Sequence, residues 1–140
     1  MSAVTSSEPF QIALHVEAAD IDALGHVNNT VYVRWVQDVA TAHWQAVASA
    51  EEQRAILWVV LRHEVDYQTP ALLGDAVLVQ TWVGKATGLT FERLTRIVRA
   101  ADGQPLARAR TLWCPIHAQT GRPTRIDPVL RAELSVAEAE

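Results

Sequence analysis

Residues 30–49 hold the one long stretch of helical apolar spacing in this chain, and the segments around it alternate with a period of two. Tyr32, Trp35, Val36, Val39, Ala42, His43, Ala46 and Val47 recur every three or four residues, which predicts an amphipathic helix over 30–49. Ahead of it, Phe10, Ile12, Leu14 and Val16 alternate with polar neighbours and predict a strand over 10–18. Behind it, strands are predicted over 56–67, 76–84, 89–99 and 106–117, with Ile56 to Val60 apolar on both faces as in a central strand. Thr69-Pro70, Gly74-Asp75, Asp102-Gly103 and Thr120-Gly121 supply the turns between and after them. Pro115 marks an edge or bulge late in the last strand, and Asp127-Pro128 opens a short final helix. Short connections after the helix make the five-stranded sheet mainly antiparallel, so the class is α+β. One helix covers one face of such a sheet, and the strand edges and apolar surface left over favour self-association.

Composition narrows the function. At 140 residues the chain is long enough for one core and short for two, so a single domain is expected over 1–140, its core at about 10–130. A net charge of -4 argues against nucleic acid as partner. Cys114 is the one cysteine, which excludes an intrachain disulfide and a multi-cysteine metal site and fits a reducing cytoplasm. Residues 1–8 lack the basic start and apolar stretch of a signal peptide, and no apolar run approaches the roughly 20 residues of a spanning helix, so neither export nor membrane insertion is expected.

The chemistry concentrates in residues 20–29. Asp20, Asp22, His26, Asn28 and Asn29 share one loop that feeds the N-terminus of the long helix. Unpaired N–H groups and partial positive charge at such a terminus stabilise an anion. A carboxylate beside it can attack a carbonyl or activate water, while the N–H groups polarise that carbonyl. Read without further context, the same residues are turn and cap formers, and Asn28 or Asn29 caps the helix.

The run Asp20-x-Asp22-x-x-Gly25-His26-Val27-Asn28-Asn29-x-x-Tyr32-x-x-Trp35 resembles the signature of the 4-hydroxybenzoyl-CoA thioesterase branch of the hotdog superfamily, its YbgC-like and long-chain acyl-CoA members above all. Glu64-Val65-Asp66-Tyr67-x-x-Pro70-x-x-x-Gly74-Asp75-x-Val77 resembles the second block of that family, and Thr120-Gly121-Arg122-Pro123-x-Arg125-Ile126 the end of its last strand. The resemblance implies a hotdog fold, a long central helix on the five-stranded sheet. It implies hydrolysis of an acyl-coenzyme A thioester to free acid and coenzyme A.

Carried over by position, the catalytic aspartate falls on Asp22 and the carbonyl-polarising backbone N–H on Asn29, with His26 in the same motif. In the YbgC-like subset the Asn29 position is often histidine, so this chain departs there in side chain while keeping a backbone donor. Asn28, Tyr32, Lys85, Thr87, Gly88 and Leu89 match positions near which relatives hold substrate. No metal and no separate cofactor is implied, coenzyme A being part of the substrate, and the family forms dimers or tetramers with interfacial sites. An acyl-carrier-protein thioesterase and a non-catalytic acyl-binding protein stay open as alternatives, as does nucleophile against general base for Asp22.

Other reactive residues read as structural. Asp20 holds the loop by hydrogen bonding, His43 follows the packing stripe of the helix, and Cys114 is a packed thiol. Asp38 and His43 are five apart, a poor spacing for the paired acid and base of a dehydratase.

Overall fold

In the computed structural model, which describes residues 8–87 and 89–135 (the side chains of 86 and 87 excepted), the helical stripe is split into two i, i+4 rows. Val31, Trp35, Val39 and His43 form one, and Tyr32, Val36, Ala40 and Trp44 the other, and all eight are buried in α1, Asn29–Val47. The strands are β1 (Phe10–His15), β2 (Ile56–Tyr67), β3 (Ala76–Thr87), β4 (Thr90–Arg99) and β5 (Pro105–His117). They form one sheet in the order β1-β3-β4-β5-β2, every neighbouring pair antiparallel. α1 packs on one face. Against it stand Val77, Val79 and Ile97, all fully buried, each contributing about 1.5–3 kcal/mol relative to exposure.

Several boundaries depart from the sequence reading. β1 stops at His15, and Ala18–Asp20 closes a 3₁₀ turn in which Glu17 and Asp20 cap each other. A further helix, α2, spans Ala50–Ala55, held by a Ser49–Glu52 capping box that was legible in the sequence. β3 runs on to Thr87, which puts Lys85 in the strand and leaves the β3–β4 turn shorter than expected. β2 is not central. It is an edge strand, and its outward-facing Leu57 and Val59 are 51% and 42% exposed. Pro115 lies beyond the reach of β4, whose partners on β5 extend only to Trp113, and its carbonyl accepts from Thr124 N–H, so its missing N–H costs no ladder bond to β4.

β2 carries a bulge between Val60 and Arg62. Trp58 pairs with Pro115 and Val60 with Trp113 before it, His63 with Thr111 and Val65 with Ala109 after it. The extra residue switches the inward set from even to odd positions while β5 keeps one alternation. The last helix, α3 (Pro128–Leu134), is capped by Asp127, whose Oδ1 accepts from Val129 N–H at 2.8 Å. Leu130 and Leu134 close a second core with Trp44, Val83 and Phe91.

Candidate active site

Residues 21–27 form a tight turn pinned by an antiparallel bridge between Ile21 and Val27. The Asp22 N–H donates to the His26 carbonyl at 2.8 Å and the Gly25 N–H to the Asp22 carbonyl at 3.1 Å. Gly25 has φ +79°, a conformation that a side chain would strain. Asp22 is half-buried, and its Oδ1 accepts from Leu24 N–H at 2.9 Å and, more weakly, from His26 N–H at 3.4 Å. Its Oδ2 has no hydrogen-bond partner among the described residues.

The turn is fastened to the helix from below. The Asn28 N–H donates to the Asp20 carbonyl at 2.8 Å, and the Val27 N–H to the Ala71 carbonyl at 3.0 Å. Asp20, 4% exposed, accepts from Glu17 N–H and from Arg34 Nη2, the structural role expected of it. Burial pushes its pKa up, but the Glu17 N–H and the Arg34 guanidinium outweigh that and hold the carboxyl below the ordinary carboxylate value.

At the start of α1 the Asn28 side chain accepts from Thr30 N–H at 3.0 Å and from the Thr30 hydroxyl at 2.8 Å. The Asn29 N–H makes no hydrogen bond among the described residues. Its carbonyl accepts from the Tyr67 hydroxyl at 3.1 Å, which ties the end of β2 to the helix start. Asn28, Asn29 and His26 are exposed, and the His26 imidazole has no hydrogen-bond partner among the described residues. The structure therefore brings Asp22, His26, Asn28 and the Asn29 N–H to the two sides of one small loop-and-helix junction.

Tyr32 does not join them. It is 2% exposed, stacked edge-on against Trp35 and Tyr67, and its hydroxyl accepts from Ala71 N–H at 2.9 Å. Its position is that of a core residue bracing the Ala71 loop, not of a residue open to substrate. The β3–β4 group is also apart. Lys85 is exposed and Leu89 half-buried, while the Thr87 side chain and Gly88 lie outside the described residues. His15, at the Asp22 end of the sheet, pairs with Ala76. Lys85 is nine residues along β3 from there, roughly 30 Å at a strand rise of about 3.3 Å. The chain holds the two expected halves of the site at opposite ends of its sheet.

The Lys85 end carries a cavity of about 600 Å³ between α1 and β2–β5. Trp44, Trp58, Phe91 and Trp113 wall it, Gln37 and Thr41 stand at its exposed rim, and Arg93 lines it. Arg93 reaches across the core, where its Nη1 donates to His43 Nδ1 at 3.0 Å and to the Thr81 hydroxyl at 3.2 Å. An arginine donates only, so His43 Nδ1 is the acceptor and the imidazole is neutral with its proton on Nε2. Burial, then the Arg93 charge, pushes the His43 pKa down to about 3, and burial lowers that of Arg93 to about 10, which leaves it charged at neutral pH. His43 is thus the core histidine that its spacing indicated.

The model of the thioesterase-like superfamily matches residues 16–134 of the chain. The chain belongs to this superfamily. Among curated proteins, the superfamily chain is 22% identical over 129 residues to the long-chain acyl-CoA thioesterase FadM of Escherichia coli, 89% of this chain and 96% of that one. It is 27% identical over 82 residues to an acyl-carrier-protein hydrolase of Cuphea viscosissima, 59% of this chain, and it spans about 20% of the length of that plant protein. Among solved structures, it is similar to a Thermus thermophilus thioesterase complexed with coenzyme A and zinc, at a TM-score of 0.77 and 26% identity over 91% of this chain and 98% of that chain. The sheet order and the single long helix are those of the hotdog fold of the superfamily.

As a member of the thioesterase-like superfamily the chain has polar residues that its motifs do not announce. Arg93, Trp58 and Trp113 escape motif reading because they sit singly in alternating strands. The one signal was quantitative: five tryptophans in 140 residues is more than a small core needs, and three of them line the cavity.

Proposed function

We propose that this chain hydrolyses acyl-coenzyme A thioesters at a site built by two copies of itself. The observation that carries the reading is the pairing of a free Asn29 N–H, at the positive end of α1, with a free Asp22 Oδ2 on the turn that abuts it. In this mechanism the thioester oxygen accepts from Asn29 N–H. Asp22 then attacks the carbonyl carbon, or takes a proton from a water that does. The tetrahedral adduct collapses with release of the coenzyme A thiolate, a far better leaving group than an alkoxide. After attack by water the free acid forms directly, and after attack by Asp22 a water hydrolyses the mixed anhydride and restores the carboxylate. His26 lies exposed on the same turn beside the entering substrate, and Asn28 acts by holding the helix start.

Two copies are needed because the cavity and the Asp22 turn lie at opposite ends of one sheet. β2 leaves its edge unpaired and exposes Leu57, Val59 and Leu61. If two such edges pair antiparallel, the Tyr67 end of one chain lies beside the Ile56 end of the other. The Asp22 turn of one copy then faces the cavity of the other. Exposed Lys85, Arg122 and Arg125 stand at that same end, where the phosphates of coenzyme A would meet positive charge. A cytoplasmic setting suits the lone Cys114 thiol and a coenzyme A substrate.

The coenzyme A carrier is favoured by the likeness to FadM, which covers nearly the whole chain, over that to the plant carrier-protein hydrolases, which covers 59% of it. Thiol release from matched acyl-CoA and acyl-carrier-protein substrates tests this, with light scattering on wild type and on Leu57→Asp/Val59→Asp. The expected result is an active dimer or larger assembly in the wild type, faster on the coenzyme A series, and an inactive monomer in the double variant. Absence of release from every acyl-CoA removes the activity. A fully active monomer removes the two-chain site.

A further inference from the structure

The cavity between α1 and the sheet has a chemistry that a simple alkyl chain does not use. Its aromatic walls are set edge to face, Trp44 on Trp58 with centroids 5.3 Å apart and Trp58 on Phe91 at 5.2 Å. Arg93 lines this cavity with donors short of acceptors, and two indole N–H groups in its walls are short of them too. The indole N–H groups of Trp58 and Trp113 are buried and have no hydrogen-bond partner among the described residues. Arg93, 6% exposed, spends Nη1 on two neutral groups, and no carboxylate pairs with it among the described residues. Its Nε–Nη2 edge has no acceptor among them either.

A buried guanidinium without a counter-ion is expensive, and a buried indole N–H without an acceptor adds to the cost. His43 cannot relieve the charge, since it is already the neutral acceptor. The Thr81 hydroxyl passes its own proton to the Leu94 carbonyl at 2.8 Å, which fixes it as an acceptor toward Arg93 and nothing more. Glu92, the neighbour of Arg93 in β4, and Glu64 of β2 point to the other face of the sheet, where both meet Arg110. What is missing is a planar acceptor with negative charge, and the Nε–Nη2 edge of an arginine matches a carboxylate with two parallel hydrogen bonds.

We propose that this cavity takes an acyl group ending in a carboxylate, the coenzyme A monothioester of a dicarboxylic acid, with Arg93 as its counter-ion. This rests on the reading that the acyl arm of the thioester occupies the cavity. Aromatic walls line the methylene or ring portion, and the distal carboxylate supplies the acceptors that the chain itself does not provide.

The test compares hexanoyl-CoA with adipoyl-CoA, equal in carbon number and different in the terminal carboxylate. Wild type is expected to show kcat/KM at least tenfold higher for adipoyl-CoA. Arg93→Lys, which keeps a positive charge and loses the planar fork, is expected to reduce that ratio several-fold. Arg93→Met is expected to reverse it, and circular dichroism checks that the variant is folded. Should Arg93→Met not fold, the wild-type and Arg93→Lys ratios decide alone. A wild-type preference for hexanoyl-CoA overturns the inference and leaves the thioesterase reading intact. If neither thioester is cleaved, the thioesterase reading is decided by the wider acyl-CoA series, and calorimetry with adipate and hexanoate judges the cavity separately. Adipate bound at least tenfold tighter supports it, and equal binding overturns it.

Discussion

At the N-terminal end of α1 the polar side chains stand at or near the surface, and most are tied into the loop that carries them. Asn28 caps Thr30, Asp22 accepts from its own turn, and Asp20 is held by Glu17 and Arg34. At His43, 14 residues and so about 21 Å further along the helix, polar groups are buried and short of partners. The first arrangement leaves single atoms free on a pre-formed scaffold, as catalysis requires. The second leaves Arg93 without a carboxylate partner among the described residues, beside a cavity walled largely by aromatic rings. Local sequence builds the former. The latter needs residues from α1, β2, β3, β4 and β5, and exists only once the sheet has formed.

Asp22→Asn should give the widest separation between the two ends. Turnover is expected to fall by roughly 10²–10⁴-fold with the urea midpoint little changed, since Asn keeps an oxygen for the Leu24 N–H. Unchanged thiol release would take the carboxylate out of the chemistry.

His43→Gln probes the buried end by acid. The folded-state pKa of His43 lies at about 3, below the ordinary 6.5. The unfolded chain therefore binds a proton that the folded one refuses, and the associated stability is full above about pH 6.5 and lost as the pH falls toward 3. The slope is at most about 1.4 kcal/mol per pH unit. Gln keeps an acceptor for Arg93 and removes the titration. Urea unfolding at pH 7, 5.5 and 4 is expected to find the variant less acid-sensitive than wild type, and parallel curves would show that His43 does not titrate on unfolding.

Tyr32→Phe separates packing from substrate contact. It strands the Ala71 N–H in the core, at about 1–3 kcal/mol, with no change in KM. A raised KM at unaltered stability would return Tyr32 to the substrate site. Smallest is Asn28→Ala, expected to cost about 1 kcal/mol through the lost cap, with Asn28→Gly milder by thermal midpoint.

The same contrast explains what could be read in advance. The helix start at Asn28–Asn29, the Asp20 brace and the strand order of periods were legible because each depends on neighbours a few residues away. β2 reads as central because Ile56 to Val60 is apolar on both faces, yet it lies at an edge; apolar residues on both faces do not distinguish a central strand from an edge strand with exposed apolar side chains. Arg93 was invisible for another reason. Along β4 the inward Phe91, Arg93, Thr95 and Ile97 are no more apolar than the outward Glu92, Leu94, Arg96 and Val98 at alternate steps, so composition cannot tell which charge goes inside. The α2 capping box was local and readable, and was passed over because a six-residue helix has no apolar stripe of its own.

The bulge in β2 has a consequence for how this fold tolerates change in length. Because one added residue exchanges the two faces of the strand, residues 56–60 and 63–67 are correctly set only as long as that residue stays between them. Deleting Leu61 would turn either Trp58 and Val60 or His63 and Val65 away from the interior, so insertions and deletions that the surface turns absorb would be rejected here. Chain length is under tighter constraint at this point than side-chain identity.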